Sequence, residues 1–131
     1  MHRRVVSLTL LTGLALAVPL AGVPAQASGG GADVVRSGSC SSHADWKLKA
    51  KHDDGRIEVE AEVDSNRSGQ TWHWRLRHNG SVSAHGTART QPPSGSFSVH
   101  RRMADLAGTD TLRFRATNPR SGETCHGTVR L

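Results

Sequence analysis

The sequence predicts an all-β domain of seven short antiparallel strands. From Ala44 onward, apolar residues fall at every second position in one run after another, as in strands with one buried face. Turn-forming pairs such as Asp54-Gly55 and Asn79-Gly80 separate these runs. No stretch combines a 3.6-residue period with capping residues, so we expect no helix beyond one short turn around residues 103–107.

Each predicted strand is identified by its alternating apolar residues. Because neighbouring strand residues point to opposite faces, these residues and all three tryptophans are expected to face the core. In chain order they are Trp46, Leu48 and Ala50; Ile57, Val59, Ala61 and Val63; Trp72, Trp74 and Leu76; Val82, Ala84 and Ala88; Phe97 and Val99; Leu112, Phe114 and Ala116; and Cys125, Val129 and Leu131.

The N-terminal segment has the features of a secretory signal. A short basic start is followed by an apolar run over 5–23 and by the small-residue site Ala25-Gln26-Ala27. We therefore expect a signal peptide over 1–27, a flexible leader over 28–39 and a folded domain over 40–131. No later apolar run approaches the roughly 18 residues of a membrane span. The expected location is extracellular or at the cell envelope.

The cysteine content agrees with export. Cys40 and Cys125 are the only cysteines, and a disulfide forms and persists outside the cytosol. The expected bridge closes a loop of about 85 residues, to which chain-entropy reasoning assigns roughly 4–5 kcal/mol. Neither cysteine has a second ligand at zinc-binding spacing. Removal of the signal leaves 15 basic and 11 acidic residues, a net charge of +4.

The first hairpin takes its register from a two-residue turn at Asp54-Gly55. That register places three opposite-charge pairs on the outer face, which supports it independently. The pairs are Lys47 with Glu62, Lys49 with Glu60, and Lys51 with Glu58.

The second hairpin needs a different turn. A two-residue Asn79-Gly80 turn would set inner residues against outer ones, so we expect a three-residue loop, His78-Asn79-Gly80, with a bulge. This register pairs Leu76 with Val82, Trp74 with Ala84, Trp72 with Gly86, and His73 with His85.

The strand pattern, with tryptophans on the third strand, resembles an immunoglobulin-like or fibronectin type III-like β-sandwich. Residues 106–118 are similar to the loop and sixth strand of such domains. The resemblance covers residues 40–131, but there is no tyrosine and the cysteines lie on the first and last segments. The Arg-rich, Lys-poor composition, 14 against 3, is similar to that of small exported proteins of high-GC bacteria.

The resemblance implies that the third, fourth, sixth and seventh strands share one sheet. Their outward residues then include many cations and no carboxylate. Guanidinium groups bind phosphate and carboxylate through paired hydrogen bonds, so this face predicts contact with an anionic envelope polymer or an acidic protein. A solvated surface without a ligand is the alternative. The residues are Arg75, Arg77, Arg89, Arg113, Arg115 and Arg130, with His73, His85 and His126.

Other sites have less support in the sequence. His73 and His85 would make a weak metal site with only two ligands, whereas structural zinc sites use four. With its terminal cysteine pair and several tryptophans, the chain also resembles bacterial cellulose-binding β-sandwich modules. A carbohydrate-binding module that uses Trp72 or Trp74 is therefore an alternative, but it requires indole rings that point outward. A small protease inhibitor presenting residues 89–94 is a further alternative.

Enzyme motifs are missing from the chain. It has no Gly-x-Ser-x-Gly elbow, no His-Glu-x-x-His, no P-loop and no dinucleotide-binding fingerprint. We therefore expect a non-enzymatic, monomeric binding or envelope-associated module without a cofactor, and without a specific nucleic-acid motif.

Overall fold

The structure is a computed structural model that describes residues 32–131, so the predicted signal over 1–27 lies outside the described residues. The described chain forms eight strands. They are β1 (Val34–Ser39), β2 (Asp45–Asp53), β3 (Arg56–Asp64), β4 (Thr71–His78), β5 (Ser81–Arg89), β6 (Ser96–Ala104), β7 (Thr111–Thr117) and β8 (Thr124–Arg130). Between residues 32 and 131 we find no helix with the length and hydropathy of a membrane span.

The strands form two four-stranded antiparallel sheets. The first has the order β1-β2-β3-β6 and the second the order β5-β4-β7-β8. Both sheets turn apolar residues into one buried cluster, with Leu48 and Ile57 from the first and Trp72 and Phe114 from the second. This arrangement is sandwich-like. The second sheet contains the four strands that were predicted to lie together.

The structure has eight strands where seven were predicted. The additional strand, β1, lies in the segment 28–39 that was expected to be a flexible leader. It pairs with β2 along its whole length, from Val34 opposite Ala50 to Ser39 opposite Asp45. Four of its six residues are exposed, so backbone pairing holds this edge strand more than side-chain burial does. Such a strand leaves no alternating apolar pattern in the sequence.

The connection from β6 to β7 contains no helical turn, contrary to expectation. β6 continues past Met103, which is buried and lies opposite Ile57 on β3. Residues 105–110 then form an open loop. His52 Nδ1 lies 3.0 Å from the Asp105 carboxylate and fastens this loop to β2.

The first hairpin has the predicted register, with all three opposite-charge pairs facing each other. Two of them are ion pairs: Lys51 lies 3.4 Å from Glu58, and Lys49 lies 3.9 Å from Glu60. Glu62 instead accepts a hydrogen bond from the Ser98 hydroxyl at 3.4 Å. The outer face of the first sheet therefore largely neutralises its own charge.

The predicted turn of the second hairpin was wrong. The turn has two residues, Asn79 and Gly80, both with positive φ (48° and 87°). The extra residue lies within the hairpin, where the register shifts between Leu76 and Arg77. Because of the bulge, Trp72 and Trp74 still lie opposite inward-phase residues of β5, Ala88 and Gly86. The bulge also turns Val82, which was expected inward, to a position opposite Arg77, where it is 44% exposed.

The corrected register changes which residues meet. Trp74 faces Gly86 instead of Ala84, and a bulky indole against a glycine packs closely. His85 lies opposite Arg75 instead of His73, so the predicted His73–His85 pairing does not form. It depended on a turn one residue longer than the one observed.

The tryptophans differ in burial. Trp72 and Trp74 are 0% and 6% exposed, as their inward phase predicts. Trp46 is half-buried and packs against the backbone of Gly38 on β1 and Gly127 on β8. This ring therefore joins the N-terminal edge of the first sheet to the last strand of the second.

The predicted disulfide between Cys40 and Cys125 is present and links positions 85 residues apart. Beside it, the buried carboxylate of Glu123 accepts hydrogen bonds from the Ser42 and Ala44 N–H groups at 3.1 and 2.8 Å. The bridge and this carboxylate together hold the chain before β2 against β8.

Candidate anion-binding face

The outer face of the second sheet carries the six arginines that the sequence placed there. Each alternates with buried residues: Arg75, for example, lies between Trp74 and Leu76 on β4. Five are exposed and Arg77 is half-buried. We call this outer surface the arginine face. Its arginines are Arg75 and Arg77 on β4, Arg89 on β5, Arg113 and Arg115 on β7, and Arg130 on β8.

Strand register aligns cationic side chains in a row across the arginine face. Arg75 on β4 lies directly opposite Arg115 on β7. His85 on β5 flanks this pair on one side and His126 on β8 flanks it on the other. Each of the four strands therefore contributes one basic side chain to a single row.

A second pair lies one step along the same strands, where Arg77 faces Arg113. The pairing of β4 with β7 runs through both rows without a shift in register. Directly opposed residues have Cβ atoms about 4.5–5.5 Å apart. The four side chains, Arg75, Arg77, Arg113 and Arg115, thus form a compact block that we call the arginine quartet.

The quartet has almost no partner within the protein. Among residues 32–131, none of its members joins an ion pair, and its only hydrogen bond runs from Arg77 Nη1 to the Gly80 carbonyl at 3.1 Å. The first sheet differs, because Lys49, Lys51 and Arg102 there each contact a carboxylate. Most guanidinium donors of the quartet are therefore available to a ligand.

Two open depressions adjoin on the arginine face and share Arg75 and Arg115. Neither is lined by a carboxylate. The lining side chains of the first include His73, Arg75, His85, Arg115 and Thr117. Those of the second include Arg75, Arg77, Arg113, Arg115, His126 and Thr128. By contrast, a depression on the first sheet is lined by Lys51 and Glu58, which pair with each other.

The structure places the other two predicted arginines on the same face but outside the quartet. Arg89 ends β5 opposite Thr71, about 13 Å along the strand direction from the row of Arg75. Arg130 lies opposite Thr111 on the edge strand β8. Arg89 and Arg130 therefore lie at opposite corners of the sheet and extend the positive surface beyond the quartet.

The histidine pair considered as a metal site is not brought together in one cross-strand pair. His73 lies opposite Thr87, and His85 lies opposite Arg75. No group of three or more His, Cys, Asp or Glu side chains that could hold a metal ion occurs in the described part of the chain. A two-ligand site remains a prediction from the sequence alone.

Sequence reasoning missed a buried pair beside this sheet. Asp110 is fully buried, and its Oδ1 lies 2.5 Å from His78 Nε2. Burial acts to raise the pKa of Asp110, but hydrogen bonds from His78 and the Leu106 N–H outweigh it, so the pKa lies below its ordinary value. The pair fastens the end of β4 to the loop before β7. No spacing in the sequence indicates it.

A second missed contact closes the side of the core between β5 and β6. Arg101 occupies an inward-phase position on β6, opposite Val59, yet it is exposed. Its guanidinium carbon lies 5.0 Å from the centroid of a Trp74 ring, a cation–π contact. This cation is therefore engaged with the core and does not belong to the arginine face.

Two other hypotheses from the sequence concerned a sugar-binding platform at Trp72 and Trp74 and an inhibitory loop over residues 89–94. Trp72 and Trp74 do not present their rings to solvent, which a sugar-stacking platform requires. In the 89–94 loop, Thr90 is buried, while residues 91–94 are exposed and lead into the tightly packed Gly95.

Comparison of the chain with protein-family models, with curated proteins and with solved structures finds no match.

Proposed function

We propose that this protein is a secreted or envelope-associated, non-enzymatic module that binds anionic polymers through the arginine face. The observation that carries the proposal is the arginine quartet, four guanidinium groups in two directly opposed pairs with no carboxylate partner among residues 32–131. Each group presents a planar fork of donors that matches the oxygens of phosphate or carboxylate.

Energetics support a ligand at this position. Like charges directly opposite on a sheet are destabilising, and here Arg75 faces Arg115 and Arg77 faces Arg113. An anion bound between two opposed guanidinium groups would attract both and so offset their repulsion. The first sheet, where Lys51 meets Glu58, shows that the same chain neutralises charge on its other surface.

We also propose that the sandwich is immunoglobulin-like. The second sheet, read as β8-β7-β4-β5, has the order of strands G, F, C and C′ in variable-type domains. In the first sheet, β2, β3 and β6 have the order of strands A, B and E, with β1 as an added edge and no counterpart of strand D among the described residues. Immunoglobulin-like domains serve many binding functions, so the fold supports a binding role without naming its ligand.

Retention of the purified protein on immobilised heparin at increasing salt tests the proposal. The double variant Arg75→Glu with Arg113→Glu reverses one residue of each pair in the quartet. It should elute at clearly lower salt, and the slope of log affinity against log salt should decrease by about two, because that slope scales with the number of contacted charges.

The matched control is Lys47→Glu with Arg56→Glu. Both positions are exposed on the first sheet, and the change in net charge is the same. This control should elute near the unaltered protein. If both double variants elute at equally lowered salt, net charge alone explains the effect. If neither elutes earlier than the unaltered protein, the quartet does not contact heparin. Either result overturns the proposal.

A further inference from the structure

The chemistry of the arginine face is restricted to a few side-chain types. Apart from Val82 at one corner, its outward residues are all Arg, His, Thr or Ser. Every one of these side chains can donate a hydrogen bond, and phosphate oxygens accept from all of them. Thr117 and Thr128 line the depressions that contain the quartet.

Among the described residues, the arginine face exposes no indole or phenyl ring, and its only exposed rings are the imidazoles of His73, His85 and His126. Trp72 and Trp74 turn inward on β4, and Phe114 is buried beneath β7. Proteins that bind single-stranded nucleic acid stack bases on exposed aromatic rings, and sugar platforms also need such rings. A ligand whose recognition depends on stacking against tryptophan, tyrosine or phenylalanine therefore lacks a place on this face.

The quartet also sets a charge spacing. Arg75 and Arg77 are two residues apart on β4, as are Arg113 and Arg115 on β7. Their attachment points are therefore about 6.6–6.8 Å apart along each strand, a distance spanned by roughly six backbone bonds. In a chain of three-carbon units joined by phosphodiesters, successive phosphorus atoms are also about six bonds apart, and an extended chain spans a similar distance. A polyol phosphate and a nucleic acid strand share this spacing, so the spacing favours a phosphodiester chain, and the lack of exposed indole or phenyl rings favours one without bases.

From these observations we infer that the anionic ligand is a base-free polyol-phosphate chain, bound in an extended conformation along β4 and β7. Each opposed arginine pair holds one phosphodiester group, Arg75 with Arg115 the first and Arg77 with Arg113 the next. This inference deepens the proposed function and rests on it.

The test compares three soluble polymers with the same number of charges by calorimetric titration at one salt concentration. They are poly(glycerol phosphate), single-stranded oligodeoxynucleotide and polygalacturonate. We expect poly(glycerol phosphate) to bind the purified protein at least about tenfold more tightly than either of the others, which corresponds to roughly 1.4 kcal/mol.

A charge-conserving variant tests the spacing. Arg113→Thr with Thr128→Arg moves one guanidinium from β7 to the position directly opposite on β8. Both positions are exposed, so the fold should tolerate the exchange. The preference for poly(glycerol phosphate) should fall by about tenfold while weaker binding of polygalacturonate persists. A thermal unfolding curve verifies that the variant is folded.

The outcomes separate this inference from the proposed function. Equal affinity for all three polymers, abolished by Arg75→Glu with Arg113→Glu, would leave polyanion binding in place and overturn the polyol-phosphate assignment. Tightest binding of the oligodeoxynucleotide, or an unchanged preference in the exchange variant, would also overturn it. Binding of none of the polymers would overturn both.

Discussion

Replacing Gly127 with alanine should displace Trp46 and loosen the contact between the two sheets. Gly127 is buried on β8, and a Cβ atom there would lie 2.5 Å from Cζ3 and 2.7 Å from Cε3 of the Trp46 ring. Carbon atoms prefer separations of about 3.5–4.0 Å, so the ring must move by roughly 1 Å. On β1, Gly38 limits this movement, because a Cβ atom there would lie only 3.1 Å from the same indole.

The expected cost is the difference between two contributions. Overpacking of a well-packed site costs about 1–3 kcal/mol. Because Trp46 is half-buried and can shift toward solvent, the cost should lie in the lower part of this range. Loss of glycine flexibility in the unfolded chain returns about 0.4–1 kcal/mol. An overpacking cost of about 1.5–2 kcal/mol less this return leaves a net destabilisation of roughly 0.5–1.5 kcal/mol, and for a domain of this size the Tm should fall by about 2–12 °C.

Thermal unfolding by circular dichroism measures this shift, and two variants serve as controls. Gly86→Ala places a Cβ atom 3.0 Å from the Trp74 ring, a milder approach that should lower the Tm less. In a Trp46→Leu background, Gly127→Ala should lose most of its effect, since the obstructing ring is gone. A Gly127→Ala protein that unfolds within about 2 °C of the parent would refute the reasoning. The same loss in both backgrounds would refute it as well.

Three further predictions concern stability and binding. Because Asp110 has a lowered pKa in the fold, its contribution to stability is present above the unfolded value near 3.9 and is lost as the pH falls through the folded value. Denaturant titrations at several pH values should show this acid loss reduced in Asp110→Asn, and an unchanged profile would contradict it. Reduction of the Cys40–Cys125 bridge should lower the free energy of unfolding by about 4.6 kcal/mol, from the entropy of a loop of 85 residues; a loss below about 1 kcal/mol in denaturant titration with reductant would count against that mechanism. His126 lies opposite Arg115, where its ring N–H can donate a hydrogen bond to a ligand in the Arg75 row, so His126→Ala should elute from heparin at lower salt; unchanged elution of that variant would exclude His126 from the contact.

The first hairpin and the second illustrate why one register was predictable and the other was not. In the first, turn type and three cross-strand charge pairs point to the same alignment, and the structure has it. In the second, an extra residue can lie either in the turn or in a bulge, and both keep Trp74 facing a small residue. Local sequence does not distinguish these solutions, so the partners of His73 and His85 were assigned incorrectly.

For the arginine face, too, the sequence predicted one part of the arrangement and the strand pairing decided the other. Alternation alone placed Arg75, Arg77, Arg113 and Arg115 on an outer face, since all four are out of phase with the apolar residues of their strands. Their assembly into a quartet required β4 and β7 to be adjacent in one sheet, which is a long-range pairing. Arg101 shows the limit of alternation, because its phase predicts an inward side chain and it lies exposed against Trp74.

Sequence by itself determined the properties that depend on near neighbours: strand periodicity, the turn at Asp54-Gly55, the cysteine pair and the division of cations from core residues. Tertiary structure decided what depends on distant segments meeting: the pairing of β4 with β7 that forms the quartet, the contact of Trp46 with Gly127, and the buried pair of His78 with Asp110. The physical reason is the range of the forces involved. A period of two is set by the geometry of one strand, whereas close packing and buried polar pairs exist only once segments far apart in the chain have come together.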